Sequence, residues 1–265
     1  MLRTRVVTAL VALPLLAVAI IHEYHPVFAG VVVGASAAAA YEFFQMALPA
    51  HGGARRVGVA LAILVAVGMA AQRSEFWGPA IACTVVIGLL FTLFDAEGMA
   101  PAVTRAGFLV LGVLYAGFLL AHLVLLKRES SGPSWVFFTI VCAMASDTGG
   151  YFTGRFFGRT PLVPHVSPKK TVEGAVGALG SAVLGAAVFR FFFFRRLGMV
   201  EACLLGGAVS VLAQLGDLTE SMFKRAFGAK DSGWIIPGHG GILDRVDSLV
   251  FPAVFVYYYT LLAYG

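Results

Sequence analysis

Carboxylates, hydroxyls and cations crowd into one stretch near the C-terminal end of this sequence. In "QLGDLTESMFKR" Asp217, Ser221 and Lys224 fall at i, i+4 and i+7, so on a helix they share one face. Further on, "ILDRVDS" puts Asp244, Asp247 and Ser248 at i, i+3 and i+4, again on one face. Hard oxygen donors from two helices suit Mg²⁺, which keeps one or two protein carboxylates and completes its shell with water and phosphate oxygens. Between them "PGHGG" supplies a turn in which Gly240 and Gly241 let backbone N–H groups approach an anion. Arg225, Lys230 and Arg245 add positive charge beside that turn. Such a set suits a phosphate-and-metal site. It is not a nucleotide site of the Walker type, since no GxxxxGK[ST] occurs, nor a serine hydrolase with a Gly-x-Ser-x-Gly elbow.

The surroundings that must position these residues are apolar. Of the 265 residues 59% are hydrophobic and 12% charged, with 22 phenylalanines and a mean hydropathy of +0.88. That leaves too little polar surface to cover a soluble core. Runs near the ~20 residues needed to span a bilayer extend over 6–21, 27–48, 57–71, 78–94, 106–126, 134–145, 174–194, 202–215 and 249–264. The expected fold class is therefore all-α, a polytopic integral membrane protein with about nine transmembrane helices. "MLRTR" before the first run, with Ala17-Val18-Ala19 behind it, also fits a signal peptide, but Ile20 and Ile21 carry the run onward and favour a span. Cys83, Cys142 and Cys203 each lie in an apolar run, odd in number and without CxxC spacing. They read as buried small hydrophobes, not a disulfide framework or zinc site.

Positive charge stays preferentially on the cytoplasmic side. With alternate loops compared, Arg73, Lys127, Arg128, Arg190, Arg195 and Arg196 fall in one set, and the other 13 of the 19 basic residues fall in the set that includes the N-terminus. A cytoplasmic N-terminus and an odd number of spans follow, with both polar segments facing the compartment that holds soluble nucleotides and Mg²⁺. Residues 1–133 read as transmembrane helices for packing and lipid access, and 134–265 as the catalytic transmembrane region with its polar loops. Glu42 in "AYEFF" is an acid within a span, which is costly and needs a partner. We read it as lying near the cytoplasmic end of its helix and hydrogen-bonded to a neighbour. Gly177, Ser181 and Gly185, four residues apart, favour close helix packing. No inverted internal repeat of the transporter kind is visible.

A second polar segment, "SDTGGYFTGRFFGRTPLVPHVSPKKTVEG", runs from Ser146 to Gly174. It follows a short apolar run, so Asp147 is expected at or just inside the membrane boundary, where an unpaired carboxylate is expensive. Arg155, Arg159, Lys169 and Lys170 are candidates to relieve it. Ser167-Pro168 reads as an N-cap with Pro at the first helical position. A helix starting there would turn its positive end toward the anion that Lys169 and Lys170 attract. A plain positive-inside loop would explain the basic residues but neither Asp147 nor the glycines.

From Ser221 to Asp247, "SMFKRAFGAKDSGWIIPGHGGILDRVD" closely resembles the signature of the phosphatidate cytidylyltransferases, also called CDP-diacylglycerol synthases. Ser221, Lys224, Arg225, Lys230, Asp231, Pro237, His239, Gly240, Gly241, Asp244, Arg245 and Asp247 stand at the family's spacing. "SDTGGYFTGRFFGR" and "SPKKTVEG" resemble a second family block, with Gly150 where a small residue, usually Ala, is expected. The resemblance covers Ser146 to Ser248. It implies transfer between CTP and phosphatidic acid, giving CDP-diacylglycerol and pyrophosphate at the cytoplasmic face of the cell (inner) membrane.

By the same resemblance Asp217 and Asp244 bind Mg²⁺, Asp247 is a third ligand or supports them, and a second cation close by is compatible with the chemistry. Lys224, Arg225, Lys230 and Arg245 neutralise phosphates alongside Ser221. Asp147, Lys169, Lys170, Gly240 and Gly241 complete the binding set. His239 is read as a hydrogen-bond donor to pyrophosphate, with general acid as the alternative. The expected partners are CTP, phosphatidic acid and membrane lipids, with no nucleic acid; a homodimer stays open. Two rival readings remain: a cytidylyltransferase for another lipid phosphate, such as an isoprenoid-ether lipid, and an ion-coupled transporter. The second sits poorly with polar residues gathered at one boundary beside basic loops.

Overall fold

The apolar runs fold as helices: α1 (Leu2–Ile21), α2 (His25–Ala47), α3 (Gly52–Ala70), α4 (Trp77–Leu93), α5 (Met99–Gly112), α6 (Leu120–Arg128), α7 (Gly132–Phe157), α8 (Val172–Phe193), α9 (Met199–Ala226) and α10 (Leu243–Tyr264). A π-helical segment, Val113–Leu119, joins α5 to α6. This computed structural model describes residues 2–71, 74–94, 98–235 and 240–265. The protein is all-α apart from one antiparallel hairpin, β1 (Pro161–Val163) with β2 (Ser167–Thr171), among the described residues. Also among the described residues, six helices are long and apolar enough to cross a membrane: α2, α3, the continuous Met99–Arg128 rod, α8, α9 and α10. Leu10–Ile21 and α4 are shorter apolar helices.

Two compact units divide the chain, one formed by residues 1–125 with 227–245, the other by 126–226 with 246–265. In the first, bulky rings meet small residues. The ring of Phe44 on α2 lies where a Cβ at Gly58 of α3 would stand only 2.4 Å away, and Phe43 is 2.5 Å from the same position at Gly112 of α5. Glycine at 117 lets the π-helical segment lie against the α3 backbone at Ala62, whose carbonyl oxygen would be 2.9 Å from a Cβ. Phe227 packs edge-on against Phe43 (5.8 Å) and Phe108 (5.3 Å), fixing the chain that leads into the polar loop.

The second unit packs α7 on α8 and α8 on α9 through small residues. Gly149 faces Ser181, Gly177 faces Thr153 and Gly185 faces Ala145, each at a distance a Cβ would strain or close. The glycine spacing read from the sequence thus serves close packing. At the far end of this unit Glu201 accepts hydrogen bonds from the hydroxyls of Tyr259 and Tyr264, and Trp135 packs against both rings.

Two expectations need correction. The helix does not start at Ser167-Pro168: those residues open β2, and α8 begins at Val172 with Thr171 as its cap, its Oγ1 accepting from Gly174 N at 3.1 Å. Proline is tolerated there because each strand of a two-stranded hairpin is an edge. Glu173, in the first turn of α8, accepts from Arg159 N (3.0 Å), Thr160 N and Thr160 Oγ1 (2.9 Å), which ties the hairpin to the helix. Helix α7 runs past the short apolar run to Phe157, so Asp147 lies within a continuous helix. The glycines that weaken an isolated helix are retained because they admit α8. Lastly, of the three cysteines only Cys142 is buried; Cys203 is intermediate and Cys83 exposed, on an apolar helix whose outward face needs no polar cover in lipid.

Candidate functional site

α9 is unbroken from Met199 to Ala226, which keeps its polar residues on a stripe. Within the second unit, carboxylate oxygens of Asp217 and Glu220 on α9 and Asp247 on α10 lie within 4.8 Å of one another. Glu220 is fully buried and Asp247 is 8% exposed. The two helices approach this closely because residue 216 is glycine: a Cβ there would stand 2.3 Å from the Asp247 carbonyl oxygen. Two ammonium groups balance the carboxylates. Lys170 Nζ, brought in by β2, is 2.6 Å from Asp217 Oδ2, and Lys224 Nζ is 2.5 Å from Glu220 Oε2, one turn along α9. Beside them Ser248 Oγ donates to Asp147 Oδ2 at 3.0 Å, and Gln214 Nε2 donates to Ser210 Oγ at 3.2 Å. A cavity of about 590 Å³ opens onto this group, lined among others by Asp147, Tyr151, Arg155, Lys169, Lys170 and Asp217.

Three carboxylates this close, two of them buried, repel one another unless cations stand between them. An all-oxygen donor set of this kind fits a hard divalent ion such as Mg²⁺, with the two lysines supplying the compensating charge in its absence.

Within the first unit a different carboxylate pair organises the polar loop. Glu42 of α2 is 1% exposed and accepts from Ile242 N (3.0 Å), Leu243 N (2.8 Å) and Ser232 Oγ (3.2 Å). Asp244 Oδ2 accepts from Ser232 Oγ (2.8 Å), Ser232 N (3.2 Å) and Gly241 N (3.2 Å). The amides of Gly241, Ile242 and Leu243 are thus directed at carboxylates of the protein. Gly240 takes φ +83°, the left-handed region that favours glycine.

The residues singled out from the sequence fall as follows. Asp217, Asp247, Asp147, Lys170 and Lys224 come together in the second unit. Ser221 is half-buried on α9, while Arg225, Lys230, Arg245 and Lys169 are exposed. Asp244, Gly240 and Gly241 belong to the first unit's loop. His239 and Pro237 lie outside the described residues. Glu220 was missed, although its place three residues after Asp217 and four before Lys224 puts it on the same stripe. Ser232 was missed too, and nothing local in the sequence marks it.

A polytopic helical protein that buries carboxylates and pairs them with lysines beside a cavity belongs among membrane enzymes that work on phosphates. The profile of the cytidylyltransferase family matches residues 3–263, and the chain belongs to this family. It is 38% identical to a phosphatidate cytidylyltransferase of Bacillus subtilis over 155 residues, 58% of either chain. Against a phosphatidate cytidylyltransferase of Staphylococcus haemolyticus it is 34% identical over 197 residues, 73% of this chain and 75% of that one. With a protein of the same name from Synechocystis it shares 45% identity over 133 residues, 49% of this chain and 45% of the relative.

Proposed function

We propose that this protein is a phosphatidate cytidylyltransferase, converting CTP and phosphatidic acid to CDP-diacylglycerol and pyrophosphate at the cytoplasmic boundary of the cell membrane. The observation that carries the reading is the Asp217–Glu220–Asp247 cluster, two of its three acids buried, with Lys170 and Lys224 upon it, in the stretch from Ser146 to Ser248 that resembles the family. The lipid phosphate, held at the interface by its acyl chains, attacks the α-phosphorus of a water-soluble nucleotide, so the site has to sit where membrane and cytoplasm meet. Catalysis of such transfers is mostly positioning and charge neutralisation.

Asp217 and Asp247 are the proposed metal-binding carboxylates of the second unit, with Glu220 beside them, and Asp244 is the one proposed in the first unit's loop. A bound Mg²⁺ supplies neutralisation of phosphate charge. The lysines do the rest of that work: Lys170 and Lys224 are held in place by their carboxylate partners, and substrate phosphates compete for the same ammonium groups. Lys169 and Arg155 add charge at the cavity. Residues 1–133 serve packing and lipid access, and 134–265, which include the signature loop, carry the catalytic side chains. The purified protein, given labelled CTP, phosphatidic acid and Mg²⁺, should move label into a lipid-soluble product. No lipid-soluble label with phosphatidic acid, but label with an isoprenoid-ether lipid phosphate, would reassign the acceptor.

Nine crossings, six of them the long apolar helices and three more from α1, α4 and α7, with a cytoplasmic N-terminus, place Gly265 on the outer side. A C-terminal reporter active only in the cytoplasm should stay silent, and a strong signal from it would refute the odd count.

A further inference from the structure

We propose that Glu42, outside the family's signature, is a positioning residue for cytidylyl transfer, clamping the signature loop and orienting Asp244 through Ser232. The proposal rests on the function above, in which Asp244 is one of the working carboxylates. Glu42 lies 190 to 201 residues away from its three partners, so only the fold brings them together. A helix N-terminus leaves its first N–H groups without intrahelical acceptors. Here Glu42 satisfies the amides of Ile242 and Leu243 at the start of α10 and sets a negative charge at the positive end of that helix.

Ser232 has one hydroxyl proton and two carboxylates in reach. The shorter contact, 2.8 Å against 3.2 Å, goes to Asp244 Oδ2, while Glu42 Oε2 also receives Leu243 N. The one hydroxyl proton lies between the two carboxylates, given mainly to Asp244 Oδ2 and at longer range to Glu42 Oε2, so Ser232 links the two acids. The glycines of the loop report the same clamp. A Cβ at Gly233 would stand 2.5 Å from Glu42 Oε1, and one at Gly241 would stand 2.5 Å from Glu42 Oε2 and 2.0 Å from Ser232 Oγ. Glycine at these two positions is therefore required by the carboxylate as much as by the turn.

The test compares wild type, Glu42→Gln and Ser232→Ala. Glu42→Gln keeps the shape but turns one acceptor into a donor aimed at donors, leaving a buried N–H unpaired. In the metal-free protein, hydrogen exchange across 232–235 and 240–244 should quicken in both variants while exchange across α8 stays as in wild type. With Mg²⁺ and both substrates, kcat per folded molecule should fall by about 10-fold or more, as for groups that orient metal ligands, with KM for CTP little changed and half-saturating Mg²⁺ raised. The double variant should lose less than the two single losses combined, because the two share the Ser232 contact. Exchange and kcat equal to wild type in either variant, or activity lost only in proportion to unfolded protein, would overturn the proposal. If wild type transfers no cytidylyl group, the functional reading fails, and the exchange result on the metal-free protein still decides whether Glu42 holds the loop.

Discussion

Asp244→Asn should leave the protein folded and lower turnover by roughly 100- to 1,000-fold, the loss usual when one preorganised charge-stabilising group is removed from an active site. Folding should survive because the geometry at Asp244 is one of acceptance: Oδ2 takes hydrogen bonds from Ser232 Oγ, Ser232 N and Gly241 N, and an amide oxygen in its place still offers two lone pairs to these donors. What asparagine cannot supply is the charge. A metal held without it no longer neutralises the transferring phosphorus. Removal of a partly buried negative charge also relieves desolvation and repulsion in the metal-free state. Asp247→Asn should be milder, about 10- to 100-fold, if Asp247 orients ligands instead of binding directly. Activity titrated against Mg²⁺ for each purified variant, with thermal unfolding measured alongside, checks both. Near wild-type activity of Asp244→Asn at low Mg²⁺ would remove this residue from the metal site, and loss that tracks unfolding would make it structural.

Lys169→Ala combined with Lys170→Ala should cut turnover by about 100-fold while insertion, expression and unfolding temperature stay near wild type. The two lysines differ in placement. Lys169 is exposed on β2, whereas Lys170 reaches Asp217 at 2.6 Å with its side chain 29% exposed. A pair that open to solvent contributes at most about 1 kcal/mol to stability, so the loss should show in catalysis. Without Lys170, Asp217 faces Glu220 and Asp247 with one fewer cation, and the cavity loses the ammonium that a phosphate would meet. Lys169→Ala alone should therefore be the weaker variant. Initial rates against CTP and phosphatidic acid distinguish the outcomes: unchanged kinetics in the double variant would leave this loop a determinant of topology only.

How far the site could be read in advance depended on the range of each interaction. The stripe Asp217, Ser221, Lys224 follows from helical period alone, and Glu220 stood on it unread because an acid between a threonine and a serine looks like ordinary helix surface. The pairing of Lys170 with Asp217 joins β2 to α9 and has no local signature. Ser167-Pro168 misled for a definable reason. Serine followed by proline suits both the first turn of a helix and the edge of a hairpin, and only the pairing of Val163 with Ser167 and the cap at Thr171 separate the two. Glycines at 149, 150 and 154 likewise signal a break when a helix is alone, yet here they are the surface against which α8 packs.

Composition and spacing by themselves determined that this chain is an all-α membrane protein, that its polar chemistry gathers at the ends of apolar helices, and that its signature is that of a cytidylyltransferase. Those properties depend on hydropathy and on residues a few positions apart, which helical geometry converts directly into shared faces. The tertiary structure decided what the buried acids do. Glu42 is a costly charge in a span until α10 presents its amides, and Glu220 and Asp247 are neighbours only because Gly216 lets two helices meet. A buried carboxylate is stable only with partners, and for Glu42 the chain brings those partners from 190 to 201 residues away by packing that no local pattern encodes.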